Sequence, residues 1–236
     1  MNASIIIYTH SDYKDAWPLV FGQLDLYFPN TKKIIFTDKK DKDLPTSYTH
    51  IFYDDNLSYT KRISSCLRSI EDPLILFQHE DMILFDSPNI NKLKEFEDLI
   101  MSEKADFIKL IKAGNFSSSE LHENLVSSTD HFLFSVQPTL CKKDKLLTLF
   151  DSFDASIYEF EIKVSSACIS NNYKKCYMAS DINENKRGQH HWDSNIFPYI
   201  ATAIAKGKWN TLEYKNELSV LFKKYNINVF RRTFLG

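Results

Sequence analysis

The chain is 236 residues long, carries 29 Lys and Arg against 31 Asp and Glu, and has a formal charge of −2. That balance gives no general electrostatic attraction to nucleic acid, and no linker-like stretch divides the length, so one α/β domain over residues 1–236 is expected. Cys66, Cys141, Cys168 and Cys176 show no C-x-x-C spacing, which argues against a zinc knuckle or a secreted disulfide framework and for a reducing compartment.

A first strand is predicted at Ser4 to Tyr8, a β-branched run ending in the polar Thr9-His10-Ser11-Asp12. Its apolar stretch is too short to span a bilayer and no basic region precedes it, so a cytoplasmic protein without a transmembrane segment, at most peripheral to a membrane, is expected. Asp15 to Tyr27 reads as a helix with Trp17, Val20, Phe21, Leu24 and Tyr27 on one face. Lys33 to Asp38 and His50 to Tyr53 read as strands, each running into Asp. Thr60 to Glu71 reads as a helix whose start, Tyr59-Thr60-Lys61-Arg62, places cations where the helix dipole disfavours them, and a bound diphosphate would offset that conflict.

The central stretch is Leu74-Ile75-Leu76-Phe77-Gln78-His79-Glu80-Asp81. A continuous apolar run of this length suits a strand covered on both faces of a mainly parallel sheet. Ligands bind beyond the carboxyl ends of such strands, where His79, Glu80 and Asp81 fall, and two hard oxygen donors there suit Mn²⁺ or Mg²⁺.

Further on, Ile90 to Glu103 reads as a packing helix and Asp106 to Lys112 as a strand. Gly114 to Asp130 reads as a long polar loop, and His131 to Gln137 as another strand. Lys142 to Phe153 and Ile157 to Ser170 read as helices, the second holding Tyr158-Glu159-Phe160-Glu161. Cys176 to Ala179 reads as a short strand, Ile196 to Lys206 as a helix closed by Gly207, and Glu213 to Tyr225 as a last helix before a frayed tail with Arg231 and Arg232.

The chain has no G-x-G-x-x-G, G-x-x-x-x-G-K-[ST] or G-x-S-x-G and only five glycines, so the dinucleotide, P-loop and hydrolase-elbow signals are missing. Phosphate chemistry would rest on a metal and on cations. The run of strands, together with the segments Phe77–Asp81, Phe134–Leu140, Tyr158–Glu161 and His190–Asn210, resembles GT-A-fold glycosyltransferases that use nucleotide-sugars, particularly small enzymes of bacterial surface glycans and large viruses. The resemblance runs from about Ile5 to about Asn210. It implies a GT-A-like (Rossmann-like) domain whose mainly parallel central sheet is flanked by helices, with a nucleotide-binding part at about 1–112 and an acceptor-binding part at about 113–236.

In this resemblance Asp81 matches the last acid of an Asp-x-Asp signature, which binds Mn²⁺ or Mg²⁺ on the donor diphosphate. His79 stands where the first acid would be, and Glu80 is the substitute. Thr9, His10, Asp38, Tyr59, Lys61 and Arg62 fall to the nucleotide, and His190 and His191 to the metal or the diphosphate. Glu159 is implied as general base of an inverting transfer with Glu161 in reserve, and the sequence does not separate them. Gln137 and Trp192 are expected beside the acceptor, one by hydrogen bonding and one by stacking. The implied partners are a nucleotide-sugar, a UDP-sugar first, and a glycan or glycolipid acceptor. Two other readings stay open: a metal-dependent phosphoesterase using His79, Asp81, His190, His191 and Asp193, and a non-catalytic sugar-binding module on the same fold.

Overall fold

Strands β1 (Ser4–Tyr8), β2 (Lys33–Thr37), β3 (Thr49–Phe52) and β4 (Leu74–His79) lie side by side in the order β3-β2-β1-β4, all parallel, in a computed structural model that describes residues 1–129, 132–182, 184–187 and 191–235. Every residue of β1, β2 and β4 is buried, which is why these strands read as unbroken apolar runs rather than alternating ones. After β5 (Ile83–Leu84) and β6 (Phe107–Lys109) come the edge strands β7 (Phe116–Ser118) and β8 (Leu125–Ser128), then β9 (Thr139–Lys142) and β10 (Cys176–Ala179). They complete a nine-stranded sheet, β3-β2-β1-β4-β9-β6-β10-β8-β7, in which β9 is antiparallel to both β4 and β6. The sheet is mainly parallel.

Among the described residues six helices pack around it: α1 (Trp17–Tyr27), α2 (Tyr59–Arg68), α3 (Ile90–Met101), α4 (Lys143–Asp151), α5 (Ile157–Ser170) and α6 (Thr211–Lys224). The faces predicted for α2 and α3 are the buried ones, Ile63, Cys66 and Leu67 in one and Leu93, Phe96 and Ile100 in the other. Each fully buried side chain of this size contributes roughly 1.5–3 kcal/mol. No helix among the described residues is long and apolar enough to cross a membrane.

Three predicted elements differ. The segment 114–130 is not an irregular loop, since β7 and β8 form an antiparallel pair at the sheet edge; β7 is fully exposed, so its Phe-Ser-Ser carries no hydrophobic alternation. In the predicted strand 131–137, Leu133, Phe134 and Val136 are buried but belong to no strand, and the ladder is made by β9 instead. The hydrophobic pattern there reports burial, not backbone pairing. Finally, Ile196 to Lys206 is not a helix. It contains β13 (Tyr199–Ile200), paired with β5, and β14 (Ile204–Ala205), which turns through Lys206 and Gly207 into β15 (Lys208–Trp209); before it, β11 (Lys186–Arg187) and β12 (His191–Trp192) pair antiparallel. Lys206 and Gly207 have φ of 51° and 74°, so Gly207 serves a hairpin turn and not a helix cap.

Candidate active site

The carboxyl ends of β1 and β4 open into a cleft of about 810 Å³. Its lining includes Tyr8, His10, Asp12 and Tyr13 from the end of β1 and the loop after it, Asp55, Leu57, Ser58, Tyr59 and Arg62 around the start of α2, His79, Glu80 and Asp81 on the floor, Ser156 and Ile157 at the start of α5, and Ile204 of β14. The floor is tied to both walls by backbone bonds: the Glu80 amide donates to the Tyr8 carbonyl at 3.2 Å, and the Ala203 amide to the Asp81 carbonyl at 2.8 Å.

The floor carries two adjacent carboxyl groups and, among the described residues, no side-chain cation paired with them. Glu80 is 6% exposed, and its Oε2 is buried with no hydrogen-bond partner among the described residues. Burial, reinforced by repulsion from Asp81, pushes the Glu80 carboxyl well above the usual range. Burial likewise drives Asp81 up to about 7, against hydrogen bonds from backbone amides including that of Ile204 and the field of Arg232. Burying an ionised carboxylate costs several kcal/mol unless it is paired, so the site favours the protonated forms of these acids and a bound cation would favour the ionised ones. An orphaned carboxylate oxygen beside a second acid, both hard donors, fits Mn²⁺ or Mg²⁺ completed by ligand oxygens. Among the described residues no three His, Cys, Asp or Glu side chains converge as a metal site, so the protein alone would supply only part of the coordination.

His79, placed by the sequence at the metal, is instead part of an aromatic wall. Its Nε2 shares a 2.9 Å hydrogen bond with the Tyr59 hydroxyl, and burial pushes its pKa down to about 3, so it is neutral. Tyr8 stacks on Tyr53 at 5.3 Å and meets Tyr59 edge-on at 5.5 Å, giving the cleft a firm ring surface. Ser58 at the N-cap of α2 makes no side-chain capping bond; the Thr60 amide donates to the Ala155 carbonyl at 3.2 Å, and Ser58 and Tyr59 at this helix end line the cleft, where a first-turn amide can meet an anion. Arg62 lies one turn in, where it donates through Nε to the Leu57 carbonyl at 2.8 Å and pairs with Asp55 at 2.9 Å.

Among the remaining sequence-predicted residues, His10 lines the cleft, while Thr9 and Asp38 stand behind it. The Thr9 hydroxyl accepts from Trp17 Nε1 at 2.8 Å. Asp38 accepts from the Ser11 amide and hydroxyl, both at 2.7 Å; burial pushes its carboxyl up, but these bonds and nearby His10 outweigh it and hold it below the ordinary range. Lys61 does not line the cleft. Glu159 closes the N-terminus of α5 in a capping box: its Oε2 accepts from the Ser156 amide at 2.9 Å, and these Ser156 bonds keep its carboxyl low. Glu161 differs. One turn beyond the cleft-lining Ile157 on the same helix face, it is an exposed residue that does not itself line the cleft; it accepts from the Val136 amide at 3.2 Å, partial desolvation raises its pKa, and its charge is felt at Tyr59.

Gln137 accepts from the Tyr199 hydroxyl at 2.6 Å, and Tyr199 in turn feels the charge of Asp81, so Gln137 stands in the layer behind the floor. His191 shares a 2.6 Å bond with the Tyr214 hydroxyl and does not line the cleft; His190 lies outside the described residues. Trp192 is farther out, edge-on to Phe116 and approached by Lys112 and Lys186 at 5.5 and 5.4 Å from its ring. Asp193 is held by Arg187 at 2.9 Å. Among the described residues the His and Asp side chains of the phosphoesterase reading do not converge on a metal site: His79 bonds to Tyr59, His191 to Tyr214 and Asp193 to Arg187.

The sequence reading missed Tyr8, Tyr13, Ile204 and Arg232. Tyr8 had a signal, an aromatic residue ending a strand just before polar residues. Arg232 had none, because it comes from the far end of the chain. It is not frayed: Nε and Nη2 grip Asp15 at 2.9 and 2.8 Å, Nη2 also donates to the Asp12 carbonyl at 3.0 Å, and Nη1 to the Gly207 carbonyl at 3.1 Å.

No family model matches the chain, and no curated protein does. Among solved structures it is similar to TarS of S. aureus, with a TM-score of 0.52 and 12% identity over 100% of this chain and 41% of that one. A structure of TarS residues 1–349 gives 0.47 and 14%, over 76% and 60% of the two chains. A protein from Desulfovibrio desulfuricans G20 described as a nucleotide-diphospho-sugar transferase gives 0.49 and 10%, over 98% and 91%. The chain thus spans about half of the TarS chains, and at these identities the likeness is one of fold.

Proposed function

We propose that the chain is a metal-dependent glycosyltransferase that moves a sugar from a nucleotide-diphosphate-sugar, a UDP-sugar first, to a hydroxyl of a glycan or glycolipid, and that residues 1–236 work as one unit. The observation that carries this is the floor of the cleft, a buried and an adjacent half-buried carboxyl with no pairing cation among the described residues, in one lining with a helix N-terminus that no side chain caps. Acids that must lose protons to be filled suit a cation-bridged anionic ligand, and the helix end suits the anion.

Glu80 and Asp81 would hold Mn²⁺ or Mg²⁺, which when bound supplies positive charge to the two phosphates of the donor. The α2 N-terminus, with Arg62 on its first turn, receives the charge that grows on the diphosphate as the anomeric bond breaks. The walls of Tyr8, Tyr59 and His79 exclude water and offer flat surfaces to the donor. For the acceptor hydroxyl a base is needed, and Glu161 suits the role better than Glu159. Its pKa is raised and its charge is felt at the cleft-lining Tyr59, whereas the carboxylate of Glu159 is spent on the cap. A Glu base would make the transfer inverting. Gln137 and Trp192 remain candidates for the acceptor side.

The test is thermal stability with UDP, GDP, CMP and dTDP, each with and without MnCl₂, on the wild type and Asp81→Ala. One nucleotide at 100 times its Kd should add about 2.7 kcal/mol, only with Mn²⁺ and only with Asp81 present. Stabilisation by Mn²⁺ alone, with no nucleotide adding to it, would reject the transferase reading.

A further inference from the structure

Four of the five guanidinium N–H groups of Arg232 are accounted for by bonds within the protein: two to the Asp15 carboxylate at 2.9 and 2.8 Å, one to Gly207 O at 3.1 Å and one to Asp12 O at 3.0 Å. Its guanidinium also lies 5.0 Å over the Tyr13 ring. The side chains of Arg232 and Asp15 are only 12% and 10% exposed, so the pair is shielded from screening. Such a fork has little left to offer a ligand, and Arg232 does not line the cleft. What it does is join two pieces of the cleft's rim.

The connections close into a ring. The Glu80 amide binds Tyr8 O, the chain runs from Tyr8 to Asp12, Arg232 ties Asp12 and Asp15 to Gly207, the hairpin leads back to Ala203, and the Ala203 amide binds Asp81 O. Every other link is backbone. The last residues secure the arginine from behind, since Trp209 N donates to Thr233 O and Leu235 N to Trp209 O, both at 2.9 Å. We infer that Arg232 is a positioning residue: by closing this ring across the chain's full length it fixes the wall bearing Asp12 and Tyr13 over the Glu80–Asp81 floor. This rests on the donor site proposed above, which it deepens.

The measurement is binding of UDP or whichever nucleotide diphosphate the wild type takes, with MnCl₂, by wild type, Arg232→Ala, Arg232→Lys and Asp15→Asn. Misplacing one wall of a site by about 1 Å can cost about a hundredfold, so Arg232→Ala should bind tenfold to a hundredfold more weakly. Arg232→Lys should rescue little, because a point charge cannot reach Asp15, Asp12 and Gly207 together. Millimolar guanidinium ion should restore part of the affinity to Arg232→Ala and none to Asp15→Asn, a response that a general loss of stability would not give. Binding by folded Arg232→Ala within twofold of wild type, or no response to guanidinium, overturns the inference. Amide hydrogen exchange keeps the two readings apart. Even if the wild type binds no nucleotide, Arg232→Ala must exchange faster at residues 11–17 and unchanged in α5, and protection at 11–17 equal to wild type overturns the role of Arg232. Should Arg232→Ala not fold, the milder Asp15→Asn is read in the same two assays.

Discussion

Glu80 and Asp81 after β4, and Glu159 and Glu161 in α5, are two pairs of carboxylates with opposite surroundings. The first pair sits on the cleft floor, Glu80 buried and Asp81 half-buried, both raised in pKa and unpaired with a cation among the described residues; both acids of the second are exposed, Glu159 satisfied by Ser156 and Glu161, which accepts from the Val136 amide, alone raised in pKa. The difference is one of partners and not of residue type. An acid that completes a helix cap has finished its work on folding, whereas an acid buried without a partner has an interaction still to make, and the fold bears that cost in advance.

The sharpest way to break this contrast is at Asp81. Asp81→Ala should abolish Mn²⁺-dependent nucleotide binding and lower turnover by about a thousandfold, measured with donor and acceptor at saturation. Within the second pair, Glu161→Gln should cost about a hundredfold or more in kcat and remove the acidic limb of the pH–rate profile, while Glu159→Gln keeps near-wild-type activity with a small fall in Tm. Equal losses at the two positions would erase the distinction between them.

The first pair also predicts a pH signature of the metal-free protein. Both carboxyls have folded pKa values above their unfolded ones, so the native state binds more protons. Their contribution is fully present below about pH 4; that of Asp81 is lost as pH rises to about 7, and that of Glu80 as pH rises through its own raised value. Asp81→Asn should therefore stabilise the metal-free protein at pH 8 by on the order of 1–3 kcal/mol and flatten the dependence of Tm on pH over that window. A wild-type Tm that climbs steadily from pH 4 to 7, with no gain in the variant, would contradict the reading of buried, unmatched acids. The smallest effect is expected at Lys61, which does not line the cleft: Lys61→Ala should change donor affinity by less than about 0.5 kcal/mol.

The parallel half of the sheet and its acidic ends were legible in the sequence because β1, β2 and β4 are buried on both faces and announce themselves as apolar runs. The same logic located His79-Glu80-Asp81 but could not say that His79 would turn to Tyr59, because a side chain's partner is a property of packing. Residues 196–206 misled for a physical reason. Ile196, Phe197, Ile200 and Ala203 are buried at spacings a helix would also give, while the two short strands they contain take their partners from β5 and β15. Thr9 and Asp38 were found at the right strand ends but in the layer behind the cleft, bonded to Trp17 and Ser11. Arg232 was invisible, since its 217-residue separation from Asp15 leaves no local pattern.

The strand β9 has a consequence for how the molecule is made. The first four strands are complete once residue 79 has been synthesised, yet β4, which ends at the acidic floor, keeps one bare edge until residues 139–142 arrive to lie antiparallel along it. A nascent chain halted between those points exposes an apolar strand ready to pair with any other that is free, so that interval is where aggregation and the need for a chaperone should be greatest. Loop closure over such a separation is slow, and a chain released before β9 would carry its two acids at the end of an unfinished sheet.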